Sequence, residues 1–376
     1  MELAGTTLVR TAYALIAPVT RDGNRHARAL ERGREHRAEP SLRSTSDRGC
    51  NDRGGSTVIE LSAPVIQFLQ VLTIAGAAPG VSGIIASIEA RMQGRRGPRI
   101  LQPYFDLAKL FGKEALAPAG AGWFFLAGPV IAFACYLTVP LLIPVLTTFG
   151  LPLGNMGDIL GGGFILALAS FVVAVAAAST GDPYAQLGAS RAKTFGAITE
   201  PVVLLVVFTV AILTTTDLPY VLGATVTSGP EQIIRPAHLL ASAALFMVIL
   251  FETARIPVET HTGTIEFGMI EEARSFEHSG PYLALLKWGS AAKQLIFYTI
   301  LLNVFVAPWG LAPSGRLDLV VLAIIALLVK ATALGVVVAV IDNTFAKLRL
   351  FKITEFVAAA FLLAVLAILT LYLGGG

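Results

Sequence analysis

Cysteine is almost absent from this sequence, which has only Cys50 and Cys135 among its 376 residues. A zinc site or an iron–sulfur cluster needs about four protein ligands, so two distant thiols exclude either group as a resident of this chain. The five histidines are scattered and form no metal-type pair. We therefore expect no metal site here, and we expect any redox centre that works with this protein to lie on another chain.

Charge is also scarce. Charged residues make up 14% of the chain, whereas soluble domains carry roughly 25%. The net charge is only +3, which gives no support to a nucleic-acid partner. Hydrophobic residues make up 55% of the chain, and the mean hydropathy is +0.72. These values, together with apolar runs of roughly 20 residues, indicate a protein of the lipid bilayer.

Eight apolar segments are long enough to cross a hydrocarbon core about 30 Å thick as helices. The sequence thus predicts an all-α polytopic membrane protein with about eight transmembrane helices, in a domain over residues 58–376. Pro79 interrupts the first segment, either as a kink inside one helix or as a break near its end. The predicted spans cover about residues 64–88, 122–147, 160–180, 199–217, 236–255, 285–307, 317–341 and 354–373.

The loops differ sharply in positive charge. Those after odd-numbered segments carry fourteen Lys and Arg residues, whereas those after even-numbered segments carry only Arg235 and Arg316. Because Lys and Arg accumulate in cytoplasmic loops, the odd-numbered loops are predicted on the cytoplasmic side of a cell membrane, with both termini outside.

Residues 1–57 form an Arg-rich tail that holds ten of the 28 basic residues within its first 53 positions. The tail is polar and has no apolar periodicity, so we expect it to be disordered. One interpretation is an upstream extension, with the native start near Val58. The alternative is a basic segment that binds anionic lipid.

The stretch from Phe251 to Gly280 is unusually acidic for a cytoplasmic loop. Within it, only Arg255 and Arg274 oppose the carboxylates, and apolar residues are interleaved with them, so we expect a folded loop and not a solvated one. Carboxylates in a partly dry setting hold protons more readily and titrate as a coupled group when close together. The six acidic residues are Glu252, Glu259, Glu266, Glu271, Glu272 and Glu277.

The loop from Ile88 to Pro118 is long and basic. Its middle, PYFDLAKLFGKE, predicts an amphipathic helix that lies along the membrane surface. The alternative is ordinary cytoplasmic positive charge beside an interfacial helix. The charged residues singled out here are Arg91, Arg96, Arg99, Asp106, Lys109 and Glu114.

Other ionisable residues lie in or near the spans. Lys330 falls near the middle of the seventh span, where a lysine is costly unless it is paired or hydrated, so we expect a functional role. Lys293 is expected to snorkel from the cytoplasmic end of its span. Glu200 is predicted to open the fourth span, either as a helix-start acid or as part of an ion relay. Asp182 begins the loop before that span, where Pro183 is expected to stop the preceding helix.

The two loops carry a resemblance to a known family. RMQGRRGP followed by LQPYFDLAKLFGKE, and ETARIPVE followed by IEFGMIEEARSFEHSG, resemble the signature loops of the complex I subunit 1 family over about residues 60–373. The short run between GP and LQP, and ARIPVE itself, are more similar to the branch of membrane-bound nickel–iron hydrogenases, such as formate hydrogenlyase and hydrogenase 4. Ala192 replaces an acidic residue of that branch, and Glu271 stands where a histidine is common.

The resemblance implies a membrane anchor and ion-coupling subunit of an oxidoreductase, itself non-catalytic. Partners would be hydrogenase-like large and small subunits, an iron–sulfur subunit and antiporter-like membrane subunits. They would hold the iron–sulfur clusters and the nickel–iron centre. The six glutamates, Arg255 and Lys330 would couple ions; the charged residues of the first loop, with Asp182, would dock partners or shape a cavity. Alternatives are the quinone-site subunit of an NADH–quinone oxidoreductase, in which a quinone would bind, and a secondary transporter.

Overall fold

The computed structural model describes residues 60–118, 120–154, 157–214, 218, 220, 234–255, 272–344 and 350–373. These residues form an all-α membrane protein, as predicted. The nine α-helices in this part of the chain are α1 Ala63–Met92, α2 Gln102–Phe111, α3 Trp123–Leu142, α4 Ile159–Ala178, α5 Pro183–Thr214, α6 Pro236–Glu252, α7 Gly280–Ile300, α8 Leu317–Thr344 and α9 Leu350–Leu373. The tail, residues 1–57, lies outside the described residues, so its disorder stays a prediction.

Each predicted span corresponds to a helix, but one helix is short. Seven of the described helices are long and apolar enough to cross a membrane, while α6 has 17 residues. At 1.5 Å per residue, α6 is about 25 Å long, less than the hydrocarbon thickness. It ends at Glu252, three residues before the predicted end of this span, because the chain turns there into a helix-ending motif described below.

The fourth span begins far earlier than predicted. Helix α5 starts at Pro183, so the residues up to 198 are helical and Glu200 lies inside the helix. Proline has no backbone N–H, but an N–H in the first turn of a helix has no partner within the helix. Pro183 therefore fits the first position of this helix. The Asp182 carboxylate accepts a hydrogen bond from the Ala185 N–H at 2.7 Å, which is the geometry of a helix N-cap.

Pro79 lies inside one continuous helix, α1. A proline cannot donate to the carbonyl four residues earlier, which here is that of Ala75. The indole N–H of Trp288 on α7 donates to this Ala75 oxygen at 2.8 Å. The Tyr104 hydroxyl of α2 donates to the neighbouring Gly76 oxygen at 2.5 Å. The interruption in α1 is therefore a docking point for the predicted surface helix α2, whose existence the structure confirms.

Helix α7 is the central element of the bundle. Its apolar window is 78% buried, whereas the other spanning helices range from 22% to 44%. It packs against α1, α2, α3, α6 and α8, and it continues into a π-helix, Leu301–Val306. Helices α8 and α9 expose large apolar side chains such as Leu322 and Leu362, as expected for surfaces that meet lipid or apolar partner helices.

Candidate functional site

Two buried ion pairs lie at one end of the bundle. Lys293 of α7 places its Nζ 2.5 Å from an oxygen of Glu252, and these side chains are 4% and 16% exposed. The Thr199 hydroxyl of α5 donates to the other Glu252 oxygen at 2.9 Å. The Arg255 guanidinium lies 2.6 Å from an oxygen of Glu89, in the last turn of α1, and these side chains are 10% and 12% exposed. Together with Thr199, the pairs thus join four helices, α1, α5, α6 and α7, through charge in an apolar bundle.

Buried polar side chains extend this cluster along α7. The Ser82 hydroxyl of α1 donates to the Gln294 side-chain oxygen at 3.2 Å. The Gln294 amide in turn donates to the Tyr298 hydroxyl at 3.0 Å, and Tyr298 is fully buried. Arg255 and Glu89 both act electrostatically on this phenol. A hydrogen-bonded row of three side chains, Ser82, Gln294 and Tyr298, therefore lies in the centre of the bundle within electrostatic reach of the Arg255–Glu89 pair.

The turn at the end of α6 points Glu252 and Arg255 toward different helices. Arg255 N–H donates to the Leu250 carbonyl and Ala254 N–H to the Phe251 carbonyl, both at 3.0 Å. These two hydrogen bonds define a Schellman motif, in which the residue after the C-cap adopts a left-handed conformation. That residue is Ala254, with φ of +53°. The turn leaves Glu252 facing α5 and α7 and sends Arg255 back to α1.

We expect Ala254→Gly to stabilise the protein by about 1 kcal/mol, because a left-handed φ strains a residue with a Cβ but not glycine. Thermal unfolding in detergent measures the change. Ala108→Gly, in the exposed helix α2, is the matched control and should destabilise by about 1 kcal/mol. A loss of stability in both variants would contradict the strain at Ala254.

A cavity of about 300 Å³ lies between α4, α5, α6 and α7. Its α4 wall is apolar and includes Phe164 and Phe171. Its opposite side carries charged side chains: Lys193, Glu200, Glu252, Arg274 and Lys293. Ligand sites have this combination of apolar wall and few convergent polar groups.

Glu200 stands out among the charged side chains of this first cavity. It follows Thr199, the hydrogen-bond donor to Glu252, and both Glu252 and Lys193 act on it electrostatically. The Lys193 ammonium lies 3.1 Å from the centre of the Phe171 ring, a cation–π contact. Two neighbouring acids, Glu200 and Glu252, thus lie between Lys193 and Lys293 along the cavity wall.

A second cavity, of about 260 Å³, lies on the other side of the α6 end. It is more polar, and its lining includes Tyr136, Arg255, Glu272, Lys287 and Gln294. Ala254 and Arg274 line both cavities. Arg274 is buried on a short 3₁₀-helix, Ala273–Ser275, and it acts electrostatically on Glu252. The strained turn and one buried arginine therefore separate the two spaces.

The predicted ion-coupling residues divide into three groups. Glu252 and Arg255 form the ion pairs, and Glu272 lines the second cavity. Glu277 is half-buried on the segment that leads into α7. Glu259, Glu266 and Glu271 lie outside the described residues, as does most of the helix predicted at 265–275, so their roles stay predictions.

The remaining predicted ion-coupling residue, Lys330, lies elsewhere. Its ammonium contacts Asn303 in the π-helix that continues α7. Asn303 is ten residues beyond Lys293 along this continuous helical stretch, which corresponds to about 15 Å. The structure therefore brings Lys330 to a separate polar site in the opposite half of the bundle.

The predicted docking residues of the first loop are all exposed. They lie at the end of α1, in the turn after it, and on or just after α2: Arg91, Arg96, Arg99, Asp106, Lys109 and Glu114. The backbone N–H of Leu116 donates to the Ser279 hydroxyl at 2.7 Å, so this loop meets the segment before α7. Asp182 is different, because its carboxylate is engaged in the N-cap of α5.

Sequence reasoning missed Glu89, Lys293 and Thr199 as members of the site. Lys293 was expected to snorkel, which is wrong: it is 3% exposed and paired with Glu252. Glu89 carried a usable signal, since an acid in the last turn of a helix opposes the helix dipole and calls for a nearby cation. Thr199 carried none, because threonine is common in apolar helices.

One histidine lies next to the site without joining it. His278 is buried, stacks on Phe125 with 4.1 Å between ring centres, and contacts the Phe125 carbonyl at 3.4 Å. Burial lowers the pKa of His278 to about 4, so it is neutral at physiological pH. Among the described residues, His, Cys, Asp and Glu form no group that could hold a metal ion.

Comparisons with known proteins show the family of this chain. The profile of a family described as NADH dehydrogenase matches residues 65–373. The chain is similar to formate hydrogenlyase subunit 4 of Escherichia coli K12, with 31% identity over 304 residues, 81% of this chain and 97% of that protein. It is similar to hydrogenase-4 component C of the same organism, with 30% identity over 289 residues, 77% of this chain and 90% of that protein.

A solved structure supports the fold. A chain of the membrane-bound sulfane sulfur reductase, an archaeal respiratory membrane complex, aligns with a TM-score of 0.65. The alignment covers 82% of this chain and 100% of that one, at 22% identity. At this identity the likeness concerns the fold alone.

Proposed function

Because this chain belongs to the NADH dehydrogenase family, we propose that it is the membrane anchor and ion-coupling subunit of a nickel–iron hydrogenase-type oxidoreductase complex. The two similar proteins from Escherichia coli are, by name, a subunit of formate hydrogenlyase and a component of hydrogenase 4. The proposed partners are hydrogenase-like large and small subunits, an iron–sulfur subunit and antiporter-like membrane subunits. These partners would hold the nickel–iron centre and the iron–sulfur clusters, which supply the electron transfer.

One observation carries the proposal: buried charges and two cavities gather at the same end of an apolar bundle. Charges in a medium of low polarity act on one another more strongly than charges in water. A redox partner that changes charge beside this end would therefore shift the balance between bound protons and ion pairs. The ion moved is proposed to be a proton or sodium.

The exposed charged residues of the first loop favour docking of the partner subunits at this end of the bundle. Its arginines and the charged side chains of α2 lie at the end of α1 that also carries Glu89. A soluble arm bound there would lie over both ion pairs. We propose that this end faces the cytoplasm of a bacterial or archaeal cell and that both termini face outward, in accordance with the loop charges.

Glu200→Gln tests the coupling role directly. Glu200 faces the first cavity, so loss of its charge should leave folding and assembly intact. We expect ion transport by the reconstituted complex to fall by at least about tenfold, the scale of a lost proton-transfer group. Hydrogen evolution in detergent should persist. Glu60→Gln, an exposed carboxylate that precedes α1, is the matched control. Normal transport by Glu200→Gln would refute the relay role.

The second cavity keeps one alternative open. Its tyrosine, amide and cationic side chains are groups that donate hydrogen bonds to a carbonyl oxygen, as the head group of a quinone would require. In that case the chain would be the quinone-site subunit of an NADH–quinone oxidoreductase. The residues fit a quinone head group, and the chain would only bind and orient it, since reduction needs electrons from a partner.

Purification in mild detergent separates the candidates. Co-elution of a large subunit with two CxxC pairs, together with hydrogen evolution, would support the hydrogenase-type complex. Co-elution of a large subunit without those pairs, with quinone reduction, would support the alternative. A chain that runs alone and transports ions would indicate a secondary transporter and overturn both.

A further inference from the structure

Lys330 lies in a cage of three oxygen atoms. Its ammonium donates to the Asn303 side-chain oxygen at 2.7 Å. It also donates to the backbone carbonyls of Ala307 and Trp309, each at 3.1 Å. An ammonium group has three N–H donors, so the cage uses each of them once. Within the part of the chain that the structure describes, no carboxylate forms an ion pair with Lys330.

The backbone builds this cage by leaving the α-helical pattern. Helix α7 passes into the π-helix Leu301–Val306, which the Ala307 N–H closes by donating to the Leu302 carbonyl at 2.7 Å. Gly310 then turns the chain with φ of +86°, and a Cβ there would lie 3.2 Å from the Ala326 side chain of α8. The turn therefore holds the carbonyls of residues 307 and 309 over α8, where Lys330 meets them.

Asn303 is fixed before it meets the ammonium. Its amide nitrogen donates to the carbonyls of Pro144 at 3.0 Å and Val145 at 3.1 Å. With both donors occupied, the amide can only turn its oxygen toward Lys330. The buried Gln70 holds the same stretch, because its oxygen accepts from the Val145 and Leu146 N–H groups. The amide oxygen is thus preorganised, and its position does not depend on the lysine.

Neutral carbonyl and amide oxygens on a rigid backbone are the ligands that monovalent cations take in proteins. We infer that the Asn303–Ala307–Trp309 cage is a monovalent-cation site in which the Lys330 ammonium is the resident, covalently tethered cation. Removal of the side chain opens the site to K⁺, Na⁺ or NH₄⁺. Because a free cation needs the same oxygens, the cage holds one cation at a time. The cage is independent of the proposed function, because this chain alone supplies its three oxygen atoms.

Lys330→Ala tests this inference in the purified protein. The thermal midpoint is measured in detergent with potassium, sodium, ammonium or choline chloride at equal ionic strength. Choline is too large for the cage, so it controls for general salt effects. A ligand that binds only the folded state raises the midpoint. We expect a rise of about 3 °C for Lys330→Ala in at least one small cation relative to choline, and none for the native protein.

Two further variants complete the design. Lys330→Met fills the space with an apolar chain and should show no cation-specific rise, and Lys113→Ala is an exposed-lysine control. If Lys330→Ala does not accumulate, Lys330→Ser serves the same comparison, because the serine hydroxyl can donate a hydrogen bond to one of the three cage oxygens. Equal midpoints in all four salts for the truncated variant would overturn the inference. So would the same cation-specific rise in the native protein. Neither result bears on the coupling role, which is assayed separately by transport.

Discussion

Glu252→Gln is expected to lower the free energy of unfolding by about 3–5 kcal/mol, the usual cost of removing one partner from a buried ion pair. The substitution keeps the shape of the side chain but removes the negative charge 2.5 Å from the Lys293 ammonium. That ammonium belongs to a lysine that is 3% exposed, so water cannot replace the lost charge. Thermal unfolding in detergent, at fixed lipid and salt, measures the change.

Companion variants separate charge from structure. Lys293→Met alone should cost a similar amount, while the double variant Glu252→Gln with Lys293→Met should regain most of the stability, because no buried charge is then left uncompensated. Glu114→Gln, an exposed carboxylate, is the matched control and should change stability by less than about 0.5 kcal/mol. Additive losses in the double variant would show that the two charges do not act as a pair.

The same double variant also decides what the pair does. If Glu252 serves only to neutralise Lys293, the double variant should recover ion transport together with stability. If Glu252 takes part in coupling, the double variant should be stable and assembled but still defective in transport. The second outcome is the one we expect, because both side chains line the cavity that also contains Glu200.

Arg255→Gln is expected to cost about 3–5 kcal/mol as well. It removes the guanidinium 2.6 Å from the Glu89 oxygen. The consequence reaches further than one pair, because Arg255 is the contact that joins the end of α6 to the last turn of α1, beside the first loop. We therefore expect weaker retention of partner subunits in mild detergent, in addition to a lower thermal midpoint.

Controls for this prediction use the same substitution elsewhere. Arg95→Gln is an exposed arginine in the turn after α1 and should change stability by less than about 0.5 kcal/mol. Arg255→Gln combined with Glu89→Gln should recover much of the lost stability, since both members of the pair become neutral. Arg255→Lys should recover less, because lysine cannot offer a planar fork to a carboxylate. A near-normal midpoint for Arg255→Gln would mean that the pair contributes little.

The sequence by itself determined the fold class and the position of the spans. A membrane helix satisfies its backbone hydrogen bonds within itself, so its presence depends on local hydropathy, which the sequence displays. The surface helix α2 was predicted for a similar reason, since its apolar and charged residues alternate with helical period. The sequence did not determine the helix ends. Pro183 was interpreted as a stop, yet proline with a preceding aspartate also starts a helix, and only the neighbouring chain selects between the two.

The tertiary structure alone decided which charges meet. Arg255 pairs with Glu89, which is 166 residues away in the sequence. Glu252 accepts a hydrogen bond from Thr199, which is 53 residues away. Lys330 instead meets backbone carbonyls, which every residue carries and no sequence pattern marks. Hydropathy reports the cost of burying a charge but not the partner that offsets it. The sequence therefore showed that the buried charges need partners, and the packing of α1, α5, α6, α7 and α8 determines which groups those partners are.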